Sequence, residues 1–401
     1  MTNKRKIVLG AIALVVITVL LTVSVLSFFD IPLPGGKVLV SREEYKSYKD
    51  FRKLLTVRNI IDGNFIGTYD QSKLLDSAIK GYVSALGDPY TVYMDQKEFA
   101  DFETQTRGSY SGIGVVVSAD SEGYIVVVST IEDTPGEKAG IRSGDRIIAV
   151  DNKEVSAKNL DEAVNMIKGK EGTVVTLKIL RKGEEKPLVL NIKRERIYLK
   201  TVKGKKLDND IGYIRITMFD ENTSKDFKKT LEDLSKENIK ALIIDLRDNP
   251  GGLMDESVAI ADMLLPKGVI VYTQDKQGKK EYRYSDDNKI DIPFAILVNG
   301  GSASASEILS GAVKDMKAGV VVGTKTFGKG LVQSVIPFND GSGLKITVSK
   351  YFTPNGNDIN GKGIEPDVVV ELPKGLSYFD LTPDKDVQLK KAMEILREKI
   401  K

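Results

Sequence analysis

The 401-residue chain contains no histidine and no cysteine. Without cysteine there are no disulfides, no thiolate metal sites and no thiol nucleophile. Without histidine the Ser–His–Asp and Cys–His arrangements are excluded, and with them the imidazole general base. A metal would have to be held by oxygen alone, and no carboxylates cluster at metal-loop spacing, so neither a metal site nor any other cofactor is expected. An excess of one charge is also missing. There are 59 basic and 56 acidic residues, net +3, and no long basic run, which gives no reason to expect nucleic acid as a partner. If the protein is a hydrolase with a nucleophilic side chain, serine or threonine must be activated by something other than imidazole, and lysine is the leading candidate.

The first feature present is the uncharged run Ile7–Phe29, preceded by Lys4, Arg5 and Lys6. As a helix rising about 1.5 Å per residue it would span roughly 34 Å, enough to cross a bilayer. The basic flank predicts a cytoplasmic N-terminus and an extracytoplasmic remainder. A cleaved signal peptide is the competing reading, disfavoured by the length of the run and by the lack of an Ala-x-Ala pattern after it. Pro32, Pro34, Gly35 and Gly36 then break the chain. From Ser41 to about Leu86 the pattern is helical and charged. Ser41 and Glu44 have capping-box spacing, and Leu74, Leu75, Ile79, Val83 and Leu86 form an apolar face. A packing or dimerisation role fits this region better than catalysis. Leu86–Asp95 (LGDPYTVYMD) reads as a turn at Gly87, Asp88 and Pro89.

Between 105 and 196 the texture changes to short strands with one or two short helices. SGIGVVV (Ser111–Val117) is a glycine-containing loop entering a β-branched strand, and EKAGIRSGDRIIAVDNKEV (Glu137–Val155) holds a short helix, a turn and a strand. Together these segments resemble a PDZ domain. The resemblance implies that Ser111, Gly112, Ile113 and Gly114 form a carboxylate-binding loop. Backbone N–H groups of Gly112, Ile113 and Gly114 would converge on a peptide C-terminus that extends an exposed strand edge.

After 196, strands and helices alternate. Ala241–Leu246 and Phe294–Val298 are continuous apolar runs, as expected of strands buried on both faces. The first leads into Asp248-Asn-Pro-Gly-Gly252. That is an ordinary turn by composition, or else a tight loop whose amides approach a substrate carbonyl. The second leads into Ser302, Ser304 and Ser306. Ser304 and Glu307 have capping-box spacing, which needs no chemistry to explain it. A helix start is equally a place where unpaired N–H groups would stabilise an oxyanion. The residues alone leave the three serines equivalent.

Lys329 stands in Thr326-Phe-Gly-Lys-Gly330. As a base near neutrality it must lose a proton it ordinarily holds to about pH 10.4, which requires desolvation. If Gly330–Pro337 is a strand, Lys329, Leu331 and Gln333 point the same way, and Gln333 could orient the amine. Ser-x-x-Lys also occurs at Ser77–Lys80 and Ser342–Lys345. The Ser-Asp-Asn and Lys-Thr-Gly partners of the penicillin-binding class are absent, so that reading is rejected.

LGDPYTVYMD, SGIGVVV, DLRDNPGGLM (Asp245–Met254), GSASASEI (Gly301–Ile308), GTKTFGKGLVQ (Gly323–Gln333) and GKGIEPDVVV (Gly361–Val370) occur in this order. In this combination the chain resembles the carboxyl-terminal processing, or tail-specific, proteases. The resemblance implies Ser304 as nucleophile, Lys329 as general base and Gln333 as the residue positioning the lysine. It also implies an oxyanion hole from the amide of Ala305 with one from Gly251 or Gly252, the choice between these two being left open. Similar proteins often dimerise through regions like Ser41–Leu86 and the terminal helix.

The expected fold is α+β and multidomain. It comprises a cytoplasmic N-terminus (1–6), a transmembrane helix (7–29), a helical N-terminal region (30–104), an inserted β-rich PDZ domain (105–196), an α/β protease core with a mainly buried sheet (197–383) and a C-terminal helix (384–401). The expected function is that of a membrane-anchored extracytoplasmic serine endopeptidase whose substrates are proteins or peptides with a free C-terminus. The alternative is a membrane-tethered PDZ scaffold that binds C-termini without cutting them, which would have no evident use for Lys329 between two glycines.

Overall fold

Residues 3–28, 41–207, 210–373, 382 and 385–401 are described by the computed structural model. Phe29, the break at Pro32–Gly36 and position 384 of the expected terminal helix lie outside them. The chain divides into two units, Met1–Leu75 and Asp76–Lys401.

The first unit holds α1 (Asn3–Phe28), α2 (Arg42–Asn64) and the start of α3 (Gln71–Ser84). Among the described residues no helix is long and apolar enough to cross a membrane. In α1 the side chains of residues 7–22 are all exposed. The expected apolar face around α3 is only partly used. Val83 is buried, whereas Leu75 and Leu86 are exposed.

In the second unit β1 (Val92–Met94) leads to α4 (Gln96–Arg107). Asp95 starts α4 with a complete capping box. Its carboxylate accepts from Glu98 N–H, and Glu98 returns the bond to Asp95 N–H. The next module runs through β2 (Ser109–Gly112), β3 (Val115–Ala119), β4 (Ile125–Thr130), α5 (Pro135–Lys138), β5 (Arg146–Val150), β6 (Lys153–Glu154), α6 (Leu160–Ile167), β7 (Val174–Leu180), β8 (Leu188–Lys193) and β9 (Glu195–Tyr198). Strands β3, β4, β5, β7 and β8 form one sheet in that order, with β6 on β5. Ile113, Ile125, Ile147, Leu177 and Ile179 fill a core of its own. Antiparallel β2 and β9 close the module by setting Ser109 opposite Tyr198.

The remaining chain comprises β10 (Val202–Lys206), β11 (Ile211–Ile216), α7 (Thr223–Lys236), β12 (Ala241–Asp245), α8 (Met254–Leu264), β13 (Gly268–Asp275), β14 (Lys280–Ser285), β15 (Phe294–Val298), α9 (Ala305–Asp315), β16 (Val320–Gly323), β17 (Leu331–Pro337), β18 (Gly343–Phe352), β19 (Val368–Val369) and α10 (Val387–Lys399). The main sheet has the order β10-β11-β12-β15-β16-β19 and is parallel apart from β10. Its strands are apolar throughout because both faces are covered. Ile214, Ile216, Leu242, Ile244 and Ile296 pack into one core with α7, α8 and α9. The alternate residues Tyr213, Ile243, Ala295 and Leu297 pack against Leu389, Ala392 and Leu396 of α10. A second sheet, β1-β18-β13-β14 with β17 on β18, carries the other wall of the site.

Candidate active site

The carboxyl ends of β12, β15 and β16 deliver three loops to one edge of the main sheet, the usual location of sites in parallel sheets. The loop after β15 ends at Ser304, which opens α9 with φ 53° and ψ −112°, a backbone region that residues with a Cβ seldom occupy. Two contacts hold it there. Ser304 N–H donates to the Glu307 carboxylate at 2.9 Å, and the Tyr351 hydroxyl lies 3.0 Å from the Ser304 carbonyl.

The three serines that the sequence left equivalent are now distinct. Ser302 Oγ donates to the Leu246 carbonyl (2.8 Å) and Ser306 Oγ to the Asn249 carbonyl (3.0 Å), both fully buried. Only Ser304 is partly exposed, and it lines an open cleft shared with Lys329 and Gln333. Met218, Phe219, Leu253, Met254 and Ile308 make much of the cleft apolar.

Lys329 lies just before β17. Its ammonium sits 4.7 Å from the centroid of the Tyr90 ring. Burial pushes it below its ordinary value of 10.5 and the positive charge of Lys345 adds to this, while Asp88 and Glu307 pull the other way. Burial alone would raise the Asp88 carboxyl, but hydrogen bonds from Thr347 and Thr91 hold it below its ordinary value, so it stays anionic beside the lysine. Among the described residues no hydrogen bond joins Ser304 Oγ to Lys329 Nζ. Lys329, which precedes the strand, Leu331 and Gln333 all line the cleft, and Val332 joins them because the register shifts between Val332 and Gln333. The Gln333 amide donates to Thr347 Oγ1 at 3.4 Å rather than meeting Lys329.

Glu307 ties the two halves together. Fully buried, its carboxylate accepts from Ser304 N–H (2.9 Å), Lys329 N–H (2.8 Å), Gly328 N–H (2.7 Å) and Thr326 Oγ1 (2.6 Å). Tyr351 shares its one hydroxyl proton between the carbonyls of Ser304 and Lys329. The sequence suggested only a helix cap at Glu307. Its contacts with the 326–329 loop have no local signal, and neither does the arrival of Asp88 and Tyr90 beside Lys329.

The Asp248–Gly252 loop packs against the start of α9. A Cβ on Gly251 would stand 2.7 Å from the Ala303 carbonyl oxygen and 2.8 Å from Ser304 Cβ, at φ +102°. Gly251 N–H is occupied by Asn249 Oδ1 (2.9 Å). Gly252 N–H has no acceptor among the described residues, nor has Ala305 N–H in the first turn of α9. Two unpaired donors thus lie near Ser304, at Ala305 and Gly252.

In the inserted module the connection expected to bind a carboxylate is shorter than SGIGVVV suggested. Ser111 and Gly112 belong to β2, paired with Arg196 and Glu195, because β2 must complete the closure with β9. Only Ile113 and Gly114 remain as connecting residues. The Ile113 side chain is fully buried in the module's core and Gly114 has φ 74°. The Ser111 hydroxyl is buried without a partner among the described residues. Strand β3, which follows, is an edge strand. No group of histidine, cysteine or acidic side chains able to hold a metal occurs among the described residues.

A covered parallel sheet with a serine at a helix start and a half-buried lysine across the cleft is an arrangement suited to a serine-type peptidase. Comparison with known proteins is specific. Peptidase family S41 matches 210–370, the PDZ domain family 126–181, and the N-terminal domain of activating protease CtpB 36–98. A carboxy-terminal-processing protease of Bartonella bacilliformis is 37% identical over 353 residues, covering 86% of this chain and 81% of that protein. Carboxy-terminal processing protease CtpA of Bacillus subtilis is 38% identical over 367 residues, covering 90% and 78%. Among solved structures, a photosystem II D1 C-terminal processing protease is 31% identical with a TM-score of 0.48, covering 83% of this chain and 95% of that one. The chain belongs to the carboxy-terminal processing proteases of peptidase family S41.

Proposed function

We propose that the protein is a membrane-anchored endopeptidase that cleaves polypeptides with free C-termini by a Ser304/Lys329 dyad. In this reading neutral Lys329 removes the Ser304 Oγ proton as Oγ attacks the scissile carbonyl. The oxyanion is received by the N–H groups of Ala305 and Gly252. The lysine then returns the proton to the leaving amine, and water hydrolyses the acyl-enzyme with Lys329 again as base. The observation that carries the reading is the difference among the serines: Ser302 and Ser306 spend their hydroxyls on backbone carbonyls, while Ser304 faces the cleft of Lys329. Desolvation of Lys329 supports its role as a base. Reaction requires its amine to leave the Tyr90 ring for Ser304 and Gln333 to turn toward it.

Residues 105–196 act as the tail-binding module, with substrate adding to the β3 edge beside Ile113 and Gly114. The anchor at 7–29, with a cytoplasmic N-terminus and an extracytoplasmic protease, rests on the uncharged run and its basic flank. Pairing of two copies through the N-terminal helical region and α10 is part of the same reading. The test is proteolysis of a peptide with an unblocked apolar tail by Ser304→Ala and Lys329→Ala proteins of wild-type fold. Both are expected to be inactive, and cleavage by either would overturn the assignment.

A further inference from the structure

Lys345 enters the chemistry above only through its charge on Lys329, yet it lines the same cleft as Ser304 and Lys329. It sits on β18 directly opposite Val335, two residues along from the Gln333–Thr347 pair, so the four side chains share one face. Its ammonium is half-buried, 5.4 Å from the centroid of the Phe102 ring. That ring is its one compensating contact: among the described residues no carboxylate pairs with it, and burial alone acts on its titration. Lys80, which is more open, engages both Asp95 (2.9 Å) and Glu98 (2.7 Å). Helix α4 places Gln105 and Thr106 three and four residues after Phe102, on the same helical face, and both line the cleft. Neither side chain has a described hydrogen-bond partner. An ammonium, an amide and a hydroxyl thus line this cleft, and no acidic side chain lines it to receive their protons.

Resting on the peptidase reading, we propose that Lys345, with Gln105 and Thr106 beside it, forms a subsite for a substrate carboxylate. The carboxylate is either the terminal α-carboxylate of the chain being cut or the side chain of an aspartate or glutamate near the scissile bond. An apolar residue there would dry the cleft around an unpaired ammonium, which is costly, whereas a carboxylate supplies the missing partner. The subsite is separate from the β3 edge of the inserted module, so a tail can be selected twice, once at each place.

The test uses the full chain and three peptides of one sequence: one with a free C-terminus and a glutamine near the cleavage site, one amidated with a glutamate there, and one amidated with the glutamine. The wild type is expected to favour one or both carboxylate peptides over the neutral one about tenfold in kcat/KM, mainly through KM. Lys345→Met should remove the preference for the glutamate peptide and cut that for the free C-terminus to the share the β3 edge supplies, while still cutting the neutral peptide, and Lys345→Arg should keep most of both. Which carboxylate peptide loses its advantage identifies the source of the anion. Binding of the same peptides to Ser304→Ala, with and without Lys345→Met, gives the same comparison without turnover. An unchanged preference in Lys345→Met, or no preference in the wild type, overturns the subsite and leaves the dyad intact. Cleavage by Ser304→Ala would instead overturn the Ser304/Lys329 dyad itself.

Discussion

Glu307 is the residue on which the geometry of the site depends most. Its carboxylate accepts four hydrogen bonds, three from backbone amides that include those of Ser304 and Lys329. Glu307→Gln replaces one acceptor oxygen by an NH₂ group that faces donors. The expected outcome is a loss of about 3 kcal/mol in a denaturant titration, together with a large drop in turnover. Lys329 sets the pH dependence. In the proposed dyad its neutral form is the base and its folded value lies below 10.5, so kcat/KM should rise with pH as the ammonium titrates in that lowered range. The Asp88 charge favours the protonated lysine and therefore opposes the shift. Asp88→Asn should move the rising limb to lower pH, and a pH–rate profile of the two proteins checks the sign. A shift to higher pH would contradict the placement of Asp88 beside the base.

At the scale of elements, the loop between β12 and α8 is fixed from both ends. Gly251 and Gly252 have φ of +102° and +138°. A Cβ on Gly252 would come within 2.1 Å of the Phe219 carbonyl oxygen. Gly251→Ala, meeting Ala303 and Ser304 at the start of α9, is expected to lower stability by about 2–4 kcal/mol and to abolish cleavage. On the other side of the loop, fully buried Arg247 joins it to α10. It meets Asp245 at 2.7 Å and Asp386 at 2.8 Å, and Asp386 itself caps α10 through Leu389 N–H at 2.9 Å. Arg247→Met leaves two buried carboxylates without their cation, so a loss of about 3–5 kcal/mol is expected by thermal or chemical unfolding.

On the scale of the molecule, the inserted module has a core separate from that of the peptidase body, and its ends are neighbours across β2 and β9. A fragment spanning 109–198 is expected to fold alone, with a cooperative melt and dispersed amide signals; a non-cooperative melt would show that it needs the body. The body, by contrast, packs one face of its main sheet on α10. Without that helix Tyr213, Ile243 and Leu297 would lose their apolar cover.

Most of the element order was legible in the sequence because it is written in local periodicity. β15 has the predicted bounds, and the double apolar runs of β12 and β15 announce a sheet covered on both faces. The catalytic candidates were legible as a serine cluster and a lysine between glycines, once histidine and cysteine were absent. Local pattern could not rank Ser302, Ser304 and Ser306, since all three stand at the same helix start. Only the packed fold, which draws two of their hydroxyls onto the carbonyls of Leu246 and Asn249, separates them. Nor could it foresee the register shift before Gln333, the absorption of Ser111 and Gly112 into β2, or the meeting of Asp88, Tyr90, Glu307 and Lys345 around Lys329. The sequence by itself determined which chemistries were possible and which segments are helix or strand, because both follow from residue type and short-range spacing. The tertiary structure decided which serine, which amide and which charges share the cleft, because those relations join residues far apart in the chain and exist only once the sheets are packed.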